Sequence, residues 1–295
     1  MSPTACSVAA RVVGEPLAGS SPVAVAWVGV EQPGPWGADA VSGSGLDEGV
    51  AAELVARSAE TGVRVVLVRR PGRASEVGSG RRVLVACTVP GATWLRSAVV
   101  AEAKEVLDLD FGRVAAGVHG GFGVGLSRPV LLVCTNGRRD VCCAVRGRPV
   151  AAGLGAEFGE RVWEASHLGG HRFAPTGVVL PSGYAYGGLD VGLGRELLVG
   201  GSVVVDGRCR GRSTWGAVGQ VAELAVRRLT NTVDPGVLRV REPEADEDGG
   251  WRVVVWHEDG RGWKVWVVSR AVPARPASCG AVAVPTTVYE VERID

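Results

Sequence analysis

Residues 129–133 form an unbroken apolar run, Pro-Val-Leu-Leu-Val, that ends at Cys134. A strand without polar alternation belongs in a sheet covered on both faces, which commits the chain to an α/β architecture. Pro149 suits the first position of a helix, and Val150, Leu154 and Phe158 mark one face of it. Residues 162–165 predict a short strand. Residues 177–180 and 184–186 predict a hairpin across Pro181-Ser182-Gly183, and residues 190–199, with Leu193 and Leu197 on one side, predict a helix. The second half thus reads β-α-β-β-β-α, the order of a thioredoxin-like core.

Upstream, the Val-rich run 22–30, stopped by Pro-Gly-Pro at 33–35, predicts a buried strand. Residues 47–61 carry Val50 and Leu54, and Ala51 and Val55, at helical spacing, with Gly62 as the stop. Strands follow at 63–68 and 82–89, then a second helix at 93–109. The resulting β-α-β-β-α order suggests a degenerate second copy of the core, although no motif repeats. The glycine-rich 120–125 precedes a strand, whereas a dinucleotide loop follows one, so it is read as a linker.

Downstream, Val218, Val221, Ala225 and Leu229 give an amphipathic helix at 215–229. Runs 251–256 and 263–268 alternate around a Gly-containing turn and predict a hairpin. The expected division is an N-terminal α/β region (1–125), a thioredoxin-like ferredoxin domain (126–233) and a small β-rich C-terminal appendage (234–295). Trp251, Trp256, Trp263 and Trp266 are expected to pack the appendage.

Composition narrows the function classes. With 32 basic and 31 acidic residues the net charge is +1, which leaves no footprint for nucleic acid or an anionic membrane. The longest apolar runs fall short of the roughly 20 residues of a membrane helix. No early basic region precedes an apolar stretch, so a secretory leader is not expected and the cytoplasm is the expected location. Seven irregularly spaced cysteines do not make a disulfide framework, and in a reducing compartment metal ligation is the default reading.

Cys134, Cys143, His167 and His171 concentrate that chemistry. Two sulfur and two nitrogen ligands suit a tetrahedral zinc ion or an iron–sulfur cluster, and the ligand set does not choose between them. Eight residues separate the two cysteines, more than the two to four of a common zinc knuckle, so the loop is long enough to wrap a larger group. The glycines of His167-Leu-Gly-Gly-His171 let the backbone pass close to whatever is bound. Cys142 is expected to be an inert small residue, with its choice over Cys143 left open by sequence. Cys6, Cys87, Cys209 and Cys279 are expected to be unligated, with Cys209, in an Arg-rich loop, the likeliest reactive thiol. His119 and His257 are expected to be surface residues.

The run Cys-Thr-Asn-Gly-Arg-Arg-Asp-Val-Cys-Cys, followed by Trp-Glu-Ala-Ser-His-Leu-Gly-Gly-His-Arg-Phe-Ala, resembles the sucrase/ferredoxin-like family, whose members resemble thioredoxin-like [2Fe-2S] ferredoxins. The resemblance is clearest over 128–230 and extends more weakly to Glu31-Gln-Pro-Gly-Pro-Trp36; the segment after 234 lies outside it. It implies a [2Fe-2S] cluster held by Cys134, Cys143, His167 and His171. It further implies a soluble electron-transfer protein, a carrier or component of a redox system rather than a stand-alone enzyme, with a redox protein as partner. Neutral imidazoles in place of thiolates make such a cluster easier to reduce. Rieske centres run from roughly −150 to +300 mV against about −400 mV for plant-type ferredoxins, so an intermediate-to-high potential is expected, with proton coupling through the imidazoles. Arg138, Arg139 and Arg172 flank the ligands, either to attract an acidic partner or as a solvated loop countered by Asp140. No carboxylate pair is placed for glycoside chemistry. The alternatives are a structural zinc protein and a thioredoxin-type thiol enzyme; the absence of Cys-x-x-Cys weighs against the latter.

Overall fold

A computed structural model describes residues 5–72 and 80–295. Its elements are α1 (Cys6–Val12), β1 (Ala26–Glu31), α2 (Glu48–Thr61), β2 (Val63–Arg69), β3 (Arg81–Cys87), β4 (Trp94–Val100), α3 (Phe111–Ala115), β5 (Val124–Gly125) and β6 (Val130–Cys134). Then come α4 (Val141–Phe158), β7 (Val162–Ala165), β8 (Gly177–Leu180), β9 (Tyr184–Tyr186), α5 (Val191–Gly200), β10 (Cys209–Arg212) and α6 (Ala217–Thr230). The last five are β11 (Leu238–Val240), β12 (Glu244–Ala245), β13 (Trp251–His257), β14 (Gly262–Pro276) and β15 (Ala283–Ile294). Mixed α/β is therefore the fold class.

Ten strands make one sheet in the order β10-β9-β8-β6-β7-β2-β1-β3-β4-β5. The apolar run at 129–133 becomes β6, buried at every position, as a strand covered on both faces must be. Two units of four strands share one connectivity. In the first, β1 runs parallel to β2 and antiparallel to β3, which pairs antiparallel with β4. In the second, β6 runs parallel to β7 and antiparallel to β8, which pairs antiparallel with β9. The units meet where β2 and β7 pair antiparallel through Val68↔Ala165 and Arg69↔Glu164. A single apolar core containing Trp27, Leu84, Leu132 and Trp163 runs across both.

Three expected elements differ. Residues 93–109 are not a helix: β4 pairs with β3 over its full length, and only Ala103–Asp108 winds, as a 3-10 turn. Their Ala, Glu and Lys content favours a helix, but seven cross-strand pairs with a buried neighbour outweigh that local preference. Pro149 lies inside α4 rather than at its start. Of the four expected tryptophans only Trp263 lies against the core of the C-terminal sheet. Its core is Val253, Val255, Val265 and Val267 packed against Val221, Ala222 and Val226 of α6. Trp256 and Trp266, on alternate positions of β13 and β14, instead lie under the guanidiniums of Arg241 and Arg293. The hairpin at 177–186, the C-terminal hairpin and the helices after β9 and β10 form as expected.

Candidate metal centre

β6 delivers Cys134 at its end, and a short loop turns the chain into α4. The Asn136 side chain accepts the N–H groups of Arg138 (3.1 Å) and Arg139 (3.3 Å), the local turn asparagine favours. Asp140 then caps α4, its carboxylate accepting the N–H of Cys142 at 2.8 Å. This cap sets the helix start ahead of Pro149, so Cys142 and Cys143 occupy the first turn. Neighbours on a helix point about 100° apart. Cys143 accordingly enters the central core beside Cys134, while Cys142 faces Cys6, Ala174 and Cys279.

Cys134 is buried beside the Cys143 thiol, the His167 ring and the Leu168 backbone. The Cys143 hydrogen bond holds Cys134 well below the usual thiol range, despite the opposing effect of burial, with His167 adding to it. Cys143 moves the other way, pushed up by the same contact and by burial. The His167 and His171 rings are adjacent, with centroids 5.2 Å apart. Gly169 and Gly170, at φ 83° and 69°, carry the chain between them through left-handed backbone that favours glycine. A side chain at Gly170 would also collide with the Arg210 guanidinium. Two arginines fix this loop: Arg64 donates to the His167 carbonyl at 3.1 Å and Arg210 to the Gly169 carbonyl at 3.1 Å. Arg210 is itself buried, which together with nearby Arg172 and Arg64 pulls it down to about 9.

The four sequence-identified residues are therefore gathered in one pocket. Their donors fit a metal group. Buried Nδ1 of His167 and both ring nitrogens of His171 have no hydrogen-bond partner, a costly state for buried polar atoms. They are spread wider than one ion's coordination sphere. Among the described residues, the Cys/His/Asp/Glu group whose donor atoms all lie within 4.8 Å of one another is a different one: Cys6, Asp140, Cys142 and Cys279.

That second group was not legible from spacing, since Cys6 and Cys279 lie 136 and 137 positions from Cys142. Cys142 is consequently no inert bystander in the fold. Nor is Asp140 simply a counter-ion to the loop arginines: it accepts the N–H of Cys279 at 2.8 Å and lies 4.0 Å from His171 Nε2. Burial raises the Asp140 carboxyl, but the N–H groups of Cys279 and Cys142 outweigh it and hold the group below its ordinary value. Burial lowers His171. Arg138 and Arg139 are exposed, whereas Arg172 is paired with buried Glu15 at 2.8 Å. Cys209 is buried and pushed up to about 12 by desolvation, so it is not the reactive thiol its arginine neighbours suggested. His119 is exposed, but His257 ends β13 half-buried beside Asp259. The Glu31–Trp36 motif also approaches the site region: Asn136 donates to the Gly37 carbonyl at 3.0 Å.

A mixed α/β protein with two buried thiols beside two half-buried imidazoles at the end of a central strand is the class these features define. Residues 17–225 match the model of the sucrase/ferredoxin-like family, and the chain belongs to that family. No curated protein and no solved structure gives a significant match. Among the described residues no helix is long and apolar enough to cross a membrane.

Proposed function

We propose that the chain is a cytoplasmic electron-transfer protein that holds one [2Fe-2S] cluster through Cys134, Cys143, His167 and His171. The observation that carries this reading is the pairing of two neighbouring buried thiols with two adjacent imidazoles, three of whose nitrogens lack partners. Two thiolates on one tetrahedral iron must likewise be neighbours. The wider spread of the whole set favours a two-iron group over a single zinc ion. The β9-β8-β6-β7 order supports the thioredoxin-like resemblance of this half.

Bound there, the cluster supplies one-electron transfer. The chain's own residues set its surroundings. Leu168 is buried in the same core as Cys134 and Cys143 and helps exclude water. Arg64 and Arg210 hold the histidine loop and carry positive charge within electrostatic reach of Cys134, so they favour the negative charge that reduction adds. Exposed Arg138 and Arg139, between the two cysteines, present positive charge to an acidic redox partner.

The test is a visible and electron paramagnetic resonance spectrum of anaerobically purified protein, with iron and sulfide analysis. Two irons and two sulfides per chain are expected if one [2Fe-2S] cluster is bound. His167→Ala and His171→Ala should each change the spectrum. Zinc without sulfide in this pocket, or a spectrum indifferent to both substitutions, overturns the reading.

A further inference from the structure

Cys6, Cys142, Cys279 and Asp140 converge from three distant parts of the chain: α1, the first turn of α4 and the turn between β14 and β15. The three sulfurs form a triangle with edges of 3.3 Å (Cys142–Cys279), 3.6 Å (Cys279–Cys6) and 3.8 Å (Cys6–Cys142). The Asp140 carboxylate caps it, Oδ1 3.3 Å from the Cys279 sulfur and 3.6 Å from that of Cys6, with Oδ2 3.4 Å from Cys6, and all four donor groups lie within 4.8 Å of one another. A zinc ion with Zn–S near 2.3 Å and Zn–O near 2.1 Å separates two thiolates by about 3.8 Å and a thiolate from a carboxylate oxygen by about 3.6 Å. Three of the observed edges fall at that coordination shell, and the Cys142–Cys279 and Cys279–Asp140 edges, both 3.3 Å, lie inside it, so a bound ion would press those sulfurs slightly apart. A four-iron cluster, with each thiolate on its own iron, needs sulfurs much farther apart.

We propose that these four residues bind a single structural zinc ion, separate from the pocket of Cys134, Cys143, His167 and His171. Three thiolates and a carboxylate are a closed, soft-rich set suited to structural zinc and leave no open position. Asp140 is preorganised for the role. Two of its lone pairs are taken by the N–H groups of Cys142 and Cys279, both at 2.8 Å, and a carboxylate has about four acceptor sites. A disulfide would use only two of the three sulfurs and leave the third beside it. The ion explains why a seven-residue helix, too short to be stable alone, is anchored by a fully buried cysteine at its first position. It would staple α1 and the β14–β15 turn to α4. The inference stands apart from the cluster assignment, since the two sites share no ligand.

The test is zinc, iron and sulfide content of the full chain, together with Cys279→Ser, chosen because Cys279 is the one partly exposed ligand. One zinc per chain is expected in the parent protein. Cys279→Ser should weaken zinc binding by more than ~10-fold at a fixed free-zinc concentration, since losing a ligand costs more than the 10–100-fold typical of an outer partner. Zinc should stay unchanged in His167→Ala and His171→Ala. If Cys279→Ser fails to fold, cobalt replacement in the parent chain substitutes for it: intense thiolate-to-cobalt absorption, retained in both histidine variants, is required. A zinc-free protein with a Cys142–Cys279 disulfide by mass spectrometry overturns this inference alone. Iron and sulfide that disappear with Cys279→Ser, and not with the histidine variants, overturn both it and the ligand set proposed for the cluster.

Discussion

At the residue scale the two adjacent cysteines decide the most. The sequence placed them side by side without saying which faces Cys134, because that depends on where α4 begins, and the start is set by the Asp140 cap rather than by Pro149. Once the helix starts at Val141, its turn sends Cys143 to one pocket and Cys142 to another. The same turn depends on Gly147. A Cβ built there collides with the carbonyl oxygen of Cys134, a backbone atom that cannot swing aside. Alanine gains about 1 kcal/mol in helix propensity over glycine, but forcing an atom into a packed backbone contact typically costs about 1–3 kcal/mol. Gly147→Ala is therefore expected to lower the urea midpoint and, on the proposed cluster assignment, to lower iron retained per chain by pushing Cys134 out of place. A stable variant with full iron would show that α4 can shift without disturbing the site. The Cys134, Cys143, His167 and His171 grouping was legible because two short motifs carry it. Cys6 and Cys279 were not, because nothing local ties residues so remote to one another.

At the scale of elements, the misread segment is the instructive one. Taking 93–109 as a helix hid the fourth strand of the first unit; with β4 in place, both units have the same strand order and the same parallel and antiparallel pairings. The pattern was obscured because β4 exposes Val99 while burying Ser97, which breaks the alternation that identifies a strand. The junction of the two units, only two residue pairs long, is reinforced by side chains. Arg69 donates to Glu164 at 2.7 Å, Thr135 Oγ1 donates to the same carboxylate at 2.9 Å, and the Arg69 guanidinium lies over Trp36. Glu164 is almost completely buried, so Arg69→Met leaves a carboxylate without its cation, a loss on the order of 3 kcal/mol. Arg69→Met combined with Glu164→Gln should recover part of it. Chemical denaturation of the single and double variants checks this, and equal losses in the two would mean that the pair contributes little beyond packing.

At the scale of the whole molecule, the N-terminal segment and the far end of β14 meet at the same place. Glu15, just after α1, is buried and pairs with Arg172 beside the histidine loop and with Arg275 near the end of β14. One carboxylate thus ties together the N-terminal segment, the proposed cluster loop and the C-terminal sheet. The expected division into three regions gave no hint of this tie, because each partner sits among unremarkable neighbours in sequence. Arg275 is only 2 % exposed along its side chain, so Glu15→Gln strands a buried guanidinium and should cost about 3–5 kcal/mol if the structure stays closed. A seven-residue helix and a two-stranded arm can relieve that cost by opening locally while the ten-stranded sheet stays folded. The expected result is faster amide exchange confined to residues 6–15 and 272–288, with β1 and β6 still protected. Glu15→Met with Arg275→Met, which removes the charge pair together, should restore part of the protection. Uniformly faster exchange in Glu15→Gln, reaching β1 and β6, would instead mean that these segments are integral to the cooperative core rather than a cover laid over it.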